Sequence, residues 1–98
     1  MTTVRERALV SPWSVPSLPR HVRIQFDPVR QAFAVLSPEK VFWPNEISLD
    51  ILRRCDGRAD IGQIIAELAT EYDADVADVA ADVMAFLQEW SDKLLVKL

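Results

Sequence analysis

One cysteine, one histidine and two glycines are all that the 98 residues contain, and each scarcity closes a route. With Cys55 alone, the chain forms no internal disulfide and no thiolate metal cluster, which suits a reducing compartment such as the cytoplasm. With His21 alone, zinc lacks ligands and a general base lacks a partner. Gly57 and Gly62 are too few for a phosphate-cradling loop. No apolar run approaches the ~18 residues of a membrane span. Pro12, Pro16 and Pro19 break the arginine-bearing start before any signal-peptide core forms. Cations are also in deficit: 11 Lys and Arg against 15 Asp and Glu leave a net charge of -4, a poor match for a nucleic-acid backbone. No enzyme activity, metal or cofactor is expected, and neither a membrane nor nucleic acid as partner.

What is present is apolar material, half of all residues. That suffices for the modest core of one small domain. Charge is unevenly spread, with +3 over residues 1–45 and -7 over residues 46–98. Residues 1–19 combine prolines with serines and threonines and show no period, so they read as a flexible N-terminal extension. Residues 20–98 read as the folded domain. Val22, Ile24 and Phe26 alternate with Arg23 and Gln25, the signature of a half-buried strand. Asp27 and Pro28 mark a turn, Ala32 to Leu36 a second strand, and Ser37-Pro38-Glu39 another turn. Lys40 to Trp43 form a short third strand that Pro44, lacking an N–H, ends at an edge position.

Three helices follow. Asn45 is an N-cap with Glu46 in the first turn, and the expected apolar stripe is Ile47, Ile51, Leu52 and Cys55, stopped by Gly57. A capping box of Asp60 and Gln63 opens the second, with Ile61, Ile64, Ile65, Leu68 and Tyr72 on one face. Asp75 opens the third, with Val76, Val79, Val83, Phe86, Leu87 and Trp90. The order β-β-β-α-α-α implies an α+β fold: a three-stranded antiparallel sheet followed by three helices, winged helix-turn-helix-like.

A winged helix raises DNA binding, as in a transcriptional regulator, as one reading. The second helix, however, offers Gln63, Glu67 and Glu71, and the third offers Asp78, Asp82 and Glu89, which phosphates repel. Arg53, Arg54 and Arg58 suit the negative end of the first helix. Cys55 reads as a small buried hydrophobe and His21 as an exposed strand-end residue. An apolar surplus remains. If Phe42 faces the core, Val41 and Trp43 face away, and Leu49 sits off the core stripe. Three outcomes stand open: a groove for an extended peptide, cover by the N-terminal extension through Trp13 or Leu18, or plain core packing.

Taken in order, certain residues carry a resemblance. They are Pro19-Arg20, the Val22-Arg23-Ile24 strand, Asp27 in the turn, Leu36 with Pro38-Glu39, Asn45 and Cys55-Asp56-Gly57. "DVMAFLQEW" and Leu94-Leu95-Val96 follow. Together they resemble the PqqD family over residues 19–96. Trp43-Pro44 and Lys93 depart from its usual pattern of a plain strand residue and a glycine. The resemblance implies a peptide chaperone of pyrroloquinoline quinone (PQQ) biosynthesis, a recognition element for ribosomally made, modified (RiPP) peptides. It would bind the precursor peptide PqqA by strand addition and present it to the radical S-adenosylmethionine (SAM) enzyme PqqE. That enzyme would join a Glu and a Tyr of the peptide. Carried over from relatives, the peptide-binding residues would be Lys40, Val41, Phe42 and Trp43 on strand three, with Asp82, Val83, Phe86 and Trp90 on helix three. Leu49 and Leu52 would help form the floor. Weak self-association through the same edge strand is a further expectation.

Overall fold

A computed structural model describes residues 7–98; residues 1–6 of the N-terminal extension lie outside the described residues. The elements are β1 (Arg23–Asp27), β2 (Ala32–Leu36), β3 (Val41–Phe42), α1 (Glu46–Arg53), α2 (Ile61–Glu71) and α3 (Val76–Asp92). The strands are antiparallel in the order β1-β2-β3, which is the winged helix-turn-helix-like order expected.

Register follows the alternation. Ile24 lies opposite Val35, and Val35 lies opposite Phe42, so one row of apolar side chains crosses all three strands. Val22 and Val35 are buried, and Ile24 and Phe42 pack against the same core. Phe26, next along that face, lies at the hairpin end. It remains 46% exposed and meets Phe33 edge-on at 5.1 Å. The Asp27 carboxylate accepts from the Val29 N–H at 2.9 Å. With so few glycines, the left-handed position of this turn falls to Gln31, at φ 51°.

The caps form as the residue types require. Asn45 accepts from the Ser48 N–H at 2.8 Å, Asp60 from Gln63 at 2.8 Å and Asp75 from Ala77 at 2.8 Å. Gln63 completes the capping box by accepting from the Asp60 N–H at 2.9 Å. The largest fully buried side chains are Leu52, Ile61, Ile64, Leu87, Val35 and Val83, with Pro16. They bring all three helices and the middle strand to one core. Arg54 ties α1 to α2 through Glu67 at 3.2 Å and Glu71 at 2.5 Å.

Three local expectations are corrected. Ile47 was expected in the core stripe but is 56% exposed, because it lines an open cavity between α1, α2 and α3. Val76, the first residue of α3, was also expected in a core stripe and is exposed. Gly57 does not end α1, which stops at Arg53 with Arg54 as its cap. Its φ of 78° instead turns the following loop, where its N–H donates to the Pro16 carbonyl at 3.0 Å.

Residues 7–19 lie along the body. The first N–H groups of a helix have no partner within it, and here the N-terminal arm supplies them. Ile61 donates to the Ser14 carbonyl at 2.9 Å and Gly62 to Pro12 at 3.0 Å. Ser17 and Lys97 exchange two backbone bonds, both 2.8 Å. The Gln88 side chain accepts from Val10 N–H and donates to Ala8 C=O, each at 2.9 Å. Trp13 stays 80% exposed. No helix among the described residues is long and apolar enough to cross a membrane.

Candidate functional site

The short third strand has a neighbour on one side only among the described residues. Its hydrogen-bond phase can be derived. The Ser37 N–H donates to the Lys40 carbonyl at 3.0 Å, and antiparallel bonds alternate along a strand. Phe42 therefore exchanges bonds with Val35, its Cα partner. The N–H and C=O of Val41, and of Trp43 beyond it, point toward the open side. Pro44 has no N–H to offer. The bonds of the N-terminal arm go to α2, α3, the α1–α2 loop and the C-terminal segment, and none reaches β3. Cover of this edge by residues 7–19 is thus not what the chain adopts.

Inside that edge lies an aromatic trough. Phe42 meets Trp90 of α3 at 5.4 Å between ring centroids, and Trp90 stacks on Phe86 at 5.2 Å. Trp90 is 7% exposed and forms the base; Phe42 and Phe86 are half-buried beside it. Past Trp43, an apolar cavity of about 200 Å³ opens between α1 and α3, lined by Ile47, Ile51, Leu68, Tyr72, Val79 and Val83, with Asp78 and Asp82 at the same mouth. At the strand's other end, a cavity of about 300 Å³ is bounded by Lys40, Phe42, Lys93 and Leu95.

The outer face of the sheet carries the rest of the surplus. Val41 is 53% and Trp43 42% exposed. With Phe26, Ala34 and Leu36 they line a hollow of about 290 Å³. The Arg30 guanidinium sits 4.6 Å from the Trp43 ring centre, a cation–π contact that holds the indole over the sheet. A strand paired with β3 would alternate its side chains between these two apolar surfaces.

The structure thus brings Lys40, Val41, Phe42 and Trp43 together with Phe86 and Trp90, with Val83 in the cavity wall and Asp82 on its lip. Leu52 is 1% exposed and belongs to the core. Leu49 is half-buried and lines neither groove cavity. Both sit off the groove because the face of α1 that reaches it carries Ile47 and Ile51, one turn apart, and at about 100° per residue Leu49 and Leu52 point elsewhere. Ile47, Val79, Tyr72, Asp78 and Leu95 were not singled out for the site in the sequence. Ile47 was absorbed into the expected core stripe, although its place one turn before Ile51, beside the strand end, was an available signal.

The Tyr72 hydroxyl donates to the Asp50 carboxylate of α1. That bond comes first in holding the tyrosine up at about 12, with burial and the nearby acids adding to it. Cys55 is buried and donates to the Ile51 carbonyl at 3.3 Å. Burial, then Asp56, pushes its thiol up to about 12, far from a reactive thiolate. His21 is exposed, with its Nε2 3.3 Å from the Leu94 carbonyl.

Comparison with known proteins gives one answer. The profile of the family described as "Coenzyme PQQ synthesis protein D (PqqD)" matches residues 33–96. A curated Rhodopseudomonas palustris protein named "PqqA binding protein" is 48% identical over 87 residues, covering 89% of this chain and 85% of its own. A Xanthomonas oryzae protein of the same name is 41% identical over 83 residues, covering 85% and 90%. Among solved structures, the PqqD truncation of Methylobacterium extorquens PqqCD superposes with a TM-score of 0.77 at 36% identity, covering 94% of this chain and 97% of that one. It is described as a functional, stand-alone RiPP recognition element. PqqD from Xanthomonas campestris follows at a TM-score of 0.58 and 35% identity, covering 91% and 99%. With the family profile spanning most of the chain and relatives this close over nearly its full length, the chain belongs to the PqqD family.

Proposed function

We propose that this chain binds the precursor peptide PqqA as an added strand on β3 and presents it to the radical SAM enzyme PqqE. One observation carries the reading. The outward N–H and C=O groups of Val41 and Trp43 border a trough floored by Trp90 and walled by Phe42 and Phe86. Supporting it, the R. palustris and X. oryzae relatives are named for binding PqqA. Backbone bonds to Val41 and Trp43 would set the guest's register, and the two apolar surfaces would select its alternating side chains. The binding residues are then Lys40, Val41, Phe42, Trp43, Asp82, Val83, Phe86 and Trp90, extended by Ile47 and Val79. Leu52 supports the floor from beneath.

No step of chemistry is assigned to the chain. Its contribution is tethering, which raises the peptide's local concentration at the enzyme. The alternative as a DNA-binding regulator meets exposed Glu67, Glu71, Asp78 and Asp82 on α2 and α3, which repel phosphates.

Titration of labelled protein with PqqA peptide should shift the amides of residues 40–43, of Asn45 and of α3. Response confined to the N-terminal arm would overturn strand addition. Presentation is tested separately: PqqE should modify PqqA faster with this chain than without it, and equal rates would remove that step.

A further inference from the structure

We infer that the part of the bound peptide lying over the α1–α3 end of the groove carries one large apolar side chain flanked by Lys or Arg. This rests on the strand-addition reading and specifies what that site selects.

The first half of the inference comes from shape. The cavity of about 200 Å³ is walled by Ile47, Ile51, Leu68, Val79 and Val83. An apolar void of about 150 Å³ holds a benzene ring, so this one suits a single leucine- or phenylalanine-sized group. Its rim is uncovered apolar surface, with Ile47 56% and Tyr72 40% exposed. Ile47 on the cavity wall is four residues beyond Trp43, and Val83 is one turn before Phe86 of the trough, so a strand paired with Val41 and Trp43 runs on toward it.

Charge supplies the second half. Asp78 and Asp82 stand at the cavity mouth, and Glu46 opens α1 beside Ile47. Among the described residues, no Lys or Arg forms an ion pair with any of the three. The N-termini of α1 and α3 contribute about +0.5 charge each, less than Glu46, Asp75, Asp78 and Asp82 together. The net field at this mouth is negative. At the opposite end, Lys40 and Lys93 are mixed with Glu39, and Lys93 pairs with Glu89 at 3.2 Å. Only the α1–α3 end therefore has a sign to read, and a cationic flank complements it.

The test is calorimetric titration of the whole chain with synthetic PqqA peptide at ~50 mM and ~500 mM salt, spanning weak and strong screening. Asp78→Lys with Asp82→Lys should weaken binding about tenfold at the lower salt, and the gap should narrow at the higher. A peptide with the responsible Lys or Arg changed to Glu should bind the reversed protein better than the unmodified peptide does. Asp82→Lys alone lies beyond the first turn of α3, so it carries the same test if Asp78→Lys frays the helix. Ile47→Ser should weaken binding at both salts, since it removes the apolar rim. Unchanged or tighter binding after charge reversal, with the original chain still binding, would overturn this inference and leave strand addition standing. No binding of PqqA to the original chain would remove both.

Discussion

Val41→Pro separates pairing with a guest from pairing within the domain. The Val41 N–H points away from β2, so its loss removes no hydrogen bond from the folded chain. Proline is tolerated on an edge strand when its missing N–H faces solvent. Folding stability should therefore fall by no more than about 1 kcal/mol, or roughly 4–8 °C in Tm for a domain of this size. The guest is affected differently. One of its carbonyls loses its donor and meets the pyrrolidine ring, and leaving such a group unsatisfied costs about 1–3 kcal/mol. At about 1.4 kcal/mol per tenfold, that is roughly a 5- to 150-fold weaker Kd. Phe42→Pro is the control. It removes the donor that pairs with Val35 and the ring that packs on Trp90, so it should unfold β3 itself. Calorimetry with PqqA and thermal melting by circular dichroism read the two quantities. If Val41→Pro binds PqqA as tightly as the original chain, the derived phase of β3, or its use as the docking edge, is wrong.

Trp43→Ala should weaken PqqA binding at least tenfold, as loss of an aromatic anchor does. Its stability should change by only about 1 kcal/mol, mainly the lost Arg30 contact; equal affinity in a titration would count against the outer face as a guest surface. Trp90→Ala should cost about 3–5 kcal/mol of unfolding free energy, read as a denaturant midpoint, because the ring is 7% exposed and touches both Phe42 and Phe86. Deleting residues 1–15 should lower stability by about 1–3 kcal/mol, since two α2 N–H groups lose the Pro12 and Ser14 carbonyls; an unchanged melt would show that water replaces them without cost. Tyr72 is raised from about 10 to about 12 in the folded chain, so the unfolded state gives up its proton first. The stability this provides is present below pH 10 and lost as pH rises toward 12. Tyr72→Phe should flatten that part of a stability-against-pH curve.

The elements were legible because each is announced by local chemistry. Asn45, Asp60 and Asp75 open the helices by capping their own first turns. The alternation of Val22, Ile24 and Phe26 marks the strand without reference to anything distant. The same alternation correctly separates Phe42 from Val41 and Trp43, so half of the trough could be anticipated from four residues. The other half came from the family resemblance, because nothing local connects residue 42 to residue 90.

Ile47 shows where local reasoning ends. Periodicity reports which residues share a helix face, but not how far a neighbouring helix extends to cover that face. Ile51 finds cover and Ile47, one turn earlier, does not. The cavity with its acidic mouth exists because of that difference. Gly57 is similar: its left-handed backbone was expected, yet the loop it serves is defined by Pro16, some forty positions away. The sequence by itself determined the caps, the strand alternation, the absence of a metal-ligand motif and the negative helical half, all properties of residue type and short spacing. Only the tertiary structure decided which amides of β3 face outward and which helix turns lie uncovered. It also placed the N-terminal arm against α2 instead of the sheet. These depend on register and on contacts between residues far apart in the chain.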